Sequence, residues 1–176
     1  SQRLPGKVLC KINCKSTLSY IIERVSSCIN IRILLATSTS PYDDAIESFC
    51  KKNNIECYRG SLNDVSKRML NAAKKLNADA FIRITGDSPL IDPGIINRAI
   101  KLYNTGDYDL VTNIFPRSYP IGQSVEVIRT KTYERAYENM VLKEDLEHVT
   151  KYFYRKPNGF MIKNFSNNRD ISNYRI

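Results

Sequence analysis

The chain has 176 residues, of which 42% are hydrophobic and 26% charged, so it is long enough for one globular domain with a buried core. No apolar run approaches the roughly 20 residues that cross a bilayer, and we expect a cytoplasmic protein without membrane insertion. The net charge of +9 predicts an anionic partner. Because the basic residues are scattered and the 11 tyrosines form no stacking platform, that partner is not expected to be a nucleic acid.

Apolar residues recur alternately at helical and at strand spacing along the chain. Helices are predicted over residues 17–27, 43–52, 64–76, 93–103, 131–140 and 145–153. Strands are predicted over residues 31–36, 56–59, 80–85, 109–112, 125–129 and 160–165. Ser16 or Thr17 is expected to cap the first helix, and Ser61 or Asn63 the third. This alternation predicts an α/β fold with a mostly parallel sheet covered on both faces.

A Pro-Gly turn flanked by two cations opens the sequence, in the segment Arg3-Leu4-Pro5-Gly6-Lys7. Gly6 lets the backbone approach an anion, while Arg3 and Lys7 offer a planar fork and a point charge for phosphates. The alternative is that this segment is a plain Pro-Gly turn with two exposed cations. Since a phosphate-binding turn normally follows a strand, we expect a first strand before Ser1.

A lone carboxylate, Asp87, follows the strand predicted over residues 80–85. Gly86 and Pro89 are expected to bend the chain there and to aim Asp87 into the cleft where α/β sheets bind ligands. Mg²⁺ is usually bound by one or two carboxylates and substrate phosphates, so Asp87 is a predicted metal ligand. The alternative is an Asx-turn. Arg83, inside the strand, faces either a buried acid or an anionic group of the substrate.

Two loops after predicted strands offer hydroxyl and amide groups to a nucleotide base. The first is Ala36-Thr37-Ser38, and the second is Arg59-Gly60-Ser61 followed by Asp64 and Arg68. The alternative for both is ordinary loop and cap chemistry, which is the stronger interpretation for Asp64.

A second group of residues is expected to contact the substrate. The polar, aromatic loop from Tyr119 to Glu126 leads into a predicted strand and is expected to form one wall of the substrate site. His148 is the only histidine, and it is kept as a secondary substrate contact because a lone histidine on a helix is more often structural.

Taken in order, these segments resemble the cytidylyltransferase-like family of the spore coat polysaccharide biosynthesis protein F. They are more distantly similar to the acylneuraminate and 3-deoxy-manno-octulosonate cytidylyltransferases. The matching segments are Ser1–Leu9, Ile22–Val25, Ala36–Ser38, Asp43–Asp44, Arg59–Ser61, Asp64–Val65, Arg68, Arg83–Leu90, Tyr119–Pro120, Gly122, Val125–Val127 and Glu147–Thr150.

The resemblance implies a Rossmann-like, three-layer nucleotide-diphospho-sugar transferase fold with a mixed, mostly parallel sheet. It implies an enzyme that moves a cytidylyl group from CTP to a sugar, expected to be acidic, with Mg²⁺ and release of pyrophosphate. Surface polysaccharide or glycan biosynthesis is the expected setting, and a homodimer is the expected assembly.

The resemblance also implies roles for individual residues. Those on the triphosphate or in catalysis are Arg3, Lys7 and Asp87, with Asp87 as the metal ligand. Those bordering the nucleotide are Ala36, Thr37, Ser61 and Gly86, together with Arg3 and Lys7. Those facing the sugar are Arg83, Tyr119, Glu126 and His148.

The chain also departs from the family's pattern. Where Gly-Leu-Asp is usual it has Gly122-Gln123-Ser124, and Leu146 stands where an arginine is usual. The family begins with a strand before the position of Ser1 and continues past Ile176 into a strand with another metal-binding aspartate. We therefore expect residues 1–176 to form a single domain whose first strand and C-terminal end lie outside the given sequence.

Three alternatives to a cytidylyltransferase remain open. One is a glycosyltransferase of related fold that uses a nucleotide-sugar, although such enzymes normally show Asp-x-Asp and here only Asp87 is present. The second is a non-catalytic member that keeps the fold and binds a nucleotide or a protein partner. The third is a basic nucleic-acid binder, which only the net charge of +9 favours.

Overall fold

The computed structural model describes residues 6–175, which divide into two compact units. The first unit contains Arg32–Phe81 and Arg129–Gly159. The second contains Lys7–Ile31, Ile82–Ile128 and the chain from Phe160 onward. The expectation of a single domain stays a prediction.

Strands and helices alternate along the described chain, as expected. The strands are β1 (Lys11–Ile12), β2 (Lys15–Ser16), β3 (Leu34–Ser38), β4 (Glu56–Gly60), β5 (Ala80–Arg83), β6 (Leu110–Thr112), β7 (Glu126–Arg129) and β8 (Ile162–Asn164). The α-helices are α1 (Thr17–Ser26), α2 (Asp44–Lys52), α3 (Val65–Lys75), α4 (Pro93–Tyr103), α5 (Thr130–Tyr137), α6 (Lys143–Glu147) and α7 (Lys151–Arg155). Short 3₁₀ helices cover Lys7–Leu9, Pro41–Asp43 and Pro157–Gly159.

The sheets combine parallel and antiparallel pairs. β3 pairs with β4 in parallel, with Leu34 opposite Glu56 and Ser38 opposite Gly60. A four-stranded sheet has the order β5-β7-β6-β8, in which β6 is antiparallel to β7 and parallel to β8. The short hairpin β1-β2, which the sequence did not predict, turns at Asn13 and Cys14, both with positive φ. The expected mixed sheet is confirmed.

Capping side chains explain where two helices of the second unit begin. The Ser16 hydroxyl accepts from the amide of Ser19 at the start of α1, which confirms one of the two predicted caps. The Asp92 carboxylate accepts from the amide of Gly94 at the start of α4, and Pro93 occupies the first helical position.

The core of the first unit is aromatic and aliphatic. The rings of Tyr133 and Phe153 are stacked with centroids 6.0 Å apart, and Phe81 meets Tyr133 edge-on at 5.2 Å. Cys50 and Leu70 are buried with them in the same unit. Among residues 6–175 the longest helices have 11 residues, and none has the length and apolar content needed to cross a bilayer.

Several predictions about individual elements are wrong. The strand predicted over 80–85 ends at residue 83, the strand predicted over 160–165 covers 162–164, and the helix predicted over 131–140 covers 130–137. The helix predicted over 145–153 is two helices, because His148 adopts an extended backbone that lets Val149 and Thr150 turn into the interior. Asp64, and not Ser61 or Asn63, caps α3 by accepting from the amide of Lys67. The strand predicted over 31–36 begins only at residue 34 and continues to residue 38, where its pairing with β4 ends.

Candidate active site

The loop that carries Asp87 consists of two successive turns after β5. The amide of Ser88 donates to the carbonyl of Thr85 at 3.3 Å, and the amide of Ile91 donates to the carbonyl of Ser88 at 3.1 Å. The Asp87 side chain remains 55% exposed. The predicted bend after the strand is therefore confirmed.

Gly6 and Gly86 differ in how far their positions require glycine. Gly6 has a φ of +71°, in the left-handed region that residues with a Cβ rarely adopt. Gly86 lies outside that region, and a Cβ built on it meets the Cγ1 of Val8 at an ordinary 3.4 Å. The opening turn thus depends on its glycine, whereas the bend before Asp87 does not.

Lys7 and Asp87 meet although 80 positions separate them in the sequence. Lys7 begins a 3₁₀ helix directly after Gly6, and its Nζ donates to the Oδ2 of Asp87 at 3.1 Å. Lys7 and Asp87, which were predicted to act together, are therefore adjacent within the second unit. Arg3 lies outside the described residues, so its predicted contact with phosphate stays a prediction.

The electrostatics of the pair keep Asp87 ionised. Burial raises the pKa of the Asp87 carboxyl, but hydrogen bonds from Lys7 and Thr85 and the charge of Lys7 outweigh it and hold the pKa below the ordinary 3.8. Because both side chains are partly exposed, the ion pair itself contributes only about 0–1 kcal/mol to stability. A weakly held carboxylate that stays negative is suited to exchange its lysine for another cation.

The donor set around Asp87 fits a magnesium ion held together with substrate phosphates. Within the part of the chain that the structure describes, no three His, Cys, Asp or Glu side chains cluster to hold a metal by themselves. A single ionised carboxylate with phosphate oxygens and water is an ordinary environment for Mg²⁺. The expectation of Mg²⁺ at Asp87 stays a prediction.

Arg83 contacts a buried acid, which was one of the two alternatives left open by the sequence. Its Nη1 donates to the Oε2 of Glu126 at 2.8 Å, and Glu126 is completely buried. The pair lies within the second unit, on β5 and β7. The predicted contacts of both residues with a sugar stay predictions.

The loop before β7 contains two arginine contacts. Arg98 donates to the hydroxyl of Tyr119 at 2.8 Å, and Tyr119 is buried. Arg117, half-buried, donates to the hydroxyl of Ser124 at 3.0 Å and to the carbonyl of Pro120 at 3.5 Å. Both acceptors of Arg117 are neutral, so no carboxylate of the described chain neutralises its charge.

In the first unit, the loop predicted at Ala36–Ser38 is wrong, because these residues form the end of β3. The hydroxyls of Thr37 and Ser38 there are bonded to Asp43. The Oδ2 of Asp43 accepts from the Thr37 hydroxyl at 3.0 Å and from the Ser38 hydroxyl at 2.5 Å. Burial raises the pKa of Asp43, but these bonds outweigh it and leave the pKa below 3.8. Ala36 is half-buried beside them. The predicted contacts of Ala36 and Thr37 with a nucleotide stay predictions.

The second loop of the first unit is held by cap and backbone contacts. The Ser61 hydroxyl accepts from the backbone amide of Asp64 at 3.0 Å. The backbone carbonyl of Ser61 accepts from the Arg68 guanidinium at 2.5 Å. Asp64 caps α3 and also accepts from the hydroxyl of Tyr137 at 2.7 Å. This confirms the cap interpretation of Asp64. His148 is exposed at the end of α6.

The predicted site residues divide between the two units. The first unit contains Ala36, Thr37, Ser61 and His148, and the second contains Lys7, Arg83, Gly86, Asp87, Tyr119 and Glu126. Within the second unit the structure joins Lys7 to Asp87 and Arg83 to Glu126. Sequence reasoning missed the role of Asp43, whose signal is an acid placed just before a helix and six positions after Thr37.

The family of the chain follows from a match between its sequence and a sequence profile. The sequence profile described as cytidylyltransferase matches residues 1–175. The chain belongs to the cytidylyltransferase family. The resemblance inferred from the ordered segments is therefore confirmed.

Similar proteins agree with this family. A solved cytidylyltransferase structure from Leptospira borgpetersenii has a TM-score of 0.91 and 34% identity, and covers 99% of this chain and 75% of that one. An uncharacterized protein of Methanocaldococcus jannaschii is 35% identical over 92% of this chain and 66% of its own length. The spore coat polysaccharide biosynthesis protein SpsF of Bacillus subtilis is 28% identical over 89% of this chain and 67% of its own.

The chain thus spans about two thirds of the length of these two curated relatives. The high similarity to the cytidylyltransferase structure, with the mixed sheet and alternating helices, confirms the predicted α/β nucleotide-diphospho-sugar transferase fold.

Proposed function

We propose that this protein transfers a cytidylyl group from CTP to a sugar hydroxyl and releases pyrophosphate. The observation that carries the proposal is the 3.1 Å contact between Lys7 and Asp87 in a chain of the cytidylyltransferase family. Nucleotidyl transfer needs a cation for the phosphates and a carboxylate for the accompanying metal ion. Lys7 and Asp87 supply these two groups side by side.

The chemistry is an in-line displacement at the α-phosphorus of CTP, which depends on positioning and on neutralising charge. Lys7 stabilises the negative charge of the departing pyrophosphate, and Arg3 is proposed to share this role. Asp87 is proposed to hold Mg²⁺. When bound, that ion neutralises phosphate charge and lowers the pKa of the attacking hydroxyl. For the base and ribose we retain the residues that the family resemblance implies: Ala36, Thr37, Ser61 and Gly86.

We propose that the acceptor sugar is acidic. Arg117 supports this proposal, because its half-buried guanidinium has only the Ser124 hydroxyl and the Pro120 carbonyl as acceptors in the described chain. An arginine whose charge is not neutralised recognises a carboxylate or phosphate through its planar fork. Arg83, Tyr119, Glu126 and His148 are proposed to complete the contacts with the sugar.

The biological setting is proposed from the relatives. SpsF is named for spore coat polysaccharide biosynthesis, and a role in surface polysaccharide or glycan synthesis is proposed here by similarity. A cytoplasmic location suits an enzyme that consumes CTP. We also propose a homodimer, for which the tyrosine-rich last third of the chain supplies a surface, with Tyr174 66% exposed.

Pyrophosphate release tests the proposed reaction. The full-length protein is incubated with each nucleoside triphosphate in turn, with Mg²⁺ and a panel of acidic and neutral sugars. We expect release from CTP with an acidic sugar, and its loss in Asp87→Asn. Glu23→Gln is the matched control, because Glu23 also forms an exposed ion pair with a lysine, Lys15, in the same unit.

Three results would contradict the proposal. They are preference for another triphosphate, full activity of Asp87→Asn, and consumption of a nucleotide-sugar without pyrophosphate release. Binding of CTP without turnover on any acceptor would instead indicate a non-catalytic member.

A further inference from the structure

The side chain of Gln123 forms a two-point tie inside the second unit. Gln123 is buried, its Oε1 accepts from the amide of Asp92 at 2.8 Å, and its Nε2 donates to the carbonyl of Leu90 at 2.7 Å. Both functional groups of the amide are thus used on one short stretch of backbone.

That stretch is the end of the loop that carries Asp87. The loop leaves β5 after Arg83 and enters α4, whose first turn is capped by Asp92. Ile91, between the two tied residues, is completely buried and bonded to the carbonyl of Ser88. The strand fixes the loop at one end, and Gln123 fixes it at the other.

Gln123 is itself held firmly, so it is a fixed anchor. Its carbonyl accepts from the Nδ2 of Asn113 at 2.7 Å, and its amide donates to the carbonyl of Pro120 at 3.1 Å. Asn113 is completely buried and also accepts from the amide of Val125 at 2.9 Å. A satisfied buried network of this kind restricts the loop to one arrangement.

We propose that Gln123 is a positioning residue for Asp87: it holds the backbone that follows Asp87 so that the carboxylate is presented in one orientation to Mg²⁺ and the CTP phosphates. The inference rests on the proposed function. Leucine, which the family resemblance places at this position, has no group that can make either bond, so the tie belongs to this chain. Groups hydrogen-bonded directly to a metal ligand typically contribute about 10-fold to 100-fold to metal affinity, so a tie on the backbone beyond the ligand is expected to have an effect at the lower end of that range.

The test compares Gln123→Leu with the wild type in the full-length protein. Asn97→Leu is the matched control, because the side-chain oxygen of Asn97 accepts from the backbone amide of Ile29 in the same unit. Calorimetry gives the affinity for CTP with and without Mg²⁺, and hydrogen exchange reports residues 85–92.

We expect Gln123→Leu to leave metal-free CTP affinity unchanged and to reduce the gain in affinity from Mg²⁺ by about 10-fold. Exchange over residues 85–92 should rise in this variant and not in Asn97→Leu. A rescue is expected in Gln123→Glu at acidic pH, where the protonated side chain regains its donor.

Equal Mg²⁺ gain and equal exchange in Gln123→Leu and wild type would overturn the inference. So would a rise in exchange spread over the whole second unit, because that shows a general loss of stability. If the wild type does not bind CTP, the proposed function fails while the exchange over residues 85–92 still decides whether Gln123 positions the loop.

Discussion

Lys7–Asp87 and Arg83–Glu126 are both ion pairs of the second unit, but they differ in burial. The exposed fractions of their side chains are 37% and 55% in the first pair, against 26% and 0% in the second. Water competes for the first pair, so it is weak and can exchange partners. In the second pair the carboxylate cannot be hydrated, and losing its partner is costly. The comparison separates an ion pair whose lysine another cation can readily replace from an ion pair whose disruption leaves a poorly hydrated charge without its partner.

The largest effect on stability is expected at the buried pair. Glu126→Ala leaves the Arg83 guanidinium without its acid in a poorly hydrated place and should lower the free energy of unfolding by about 3 kcal/mol. Urea denaturation measures the change. The double variant Arg83→Met, Glu126→Leu should recover much of the loss, because both charges are removed. Equal unfolding free energies for Glu126→Ala and Asp87→Ala would contradict the difference between the pairs.

Arg117 should affect the binding of the acceptor sugar and not the binding of CTP. Removing its charge in Arg117→Met should raise KM for an acidic sugar about 10-fold, the scale of one charge-assisted hydrogen bond, and leave KM for CTP unchanged. Ser124→Asp should act in the same direction by neutralising the guanidinium. The exposed Arg169 in the same unit provides the control Arg169→Met. An unchanged KM in both test variants would argue against an acidic group at Arg117.

The pH dependence of Lys7–Asp87 should be small and confined to acid. Because the pKa of Asp87 is lowered, the pair stabilises the fold above the ordinary value of 3.8, and this contribution is lost as pH falls through the lowered value. Its exposure limits the contribution to less than about 1 kcal/mol. A double-mutant cycle of Lys7→Met and Asp87→Asn, followed by denaturation from about pH 2 to pH 7, measures it. Coupling that disappears near neutral pH would contradict the lowered pKa.

The smallest expected effect on stability is at Gly86, which lies next to Asp87 of the exposed ion pair. Gly86→Ala should change stability by less than about 0.5 kcal/mol, because its Cβ finds ordinary contacts. Gly60→Ala in the first unit is the contrast, since its Cβ would lie 2.9 Å from the Cγ of Arg68. If Gly86 borders the nucleotide, its variant loses CTP affinity at nearly unchanged stability. Unchanged CTP affinity would remove Gly86 from the proposed site.

Local signals explain what the sequence could predict. The bounds of α4 agree with the structure, because Asp92 and Pro93 mark its start and its apolar spacing is regular. The break between α6 and α7 was missed, since it depends on the burial of Val149 and Thr150, which local spacing does not reveal.

The same distinction applies to the site. Residue types alone suggested Lys7 and Asp87 as partners, because a phosphate-binding turn and a metal carboxylate are used together. The partner of Arg83 and the tie formed by Gln123 depend on which loops meet in three dimensions. Neither has a signal in local spacing.

Calorimetric titration of CTP into the full-length wild type, Lys7→Met and Asp87→Asn, with and without Mg²⁺, tests the central claim most directly. Lys7→Met is expected to weaken CTP binding under both conditions, whereas Asp87→Asn should lose only the gain in affinity that Mg²⁺ provides. Wild-type affinity and wild-type Mg²⁺ dependence in both variants would contradict it.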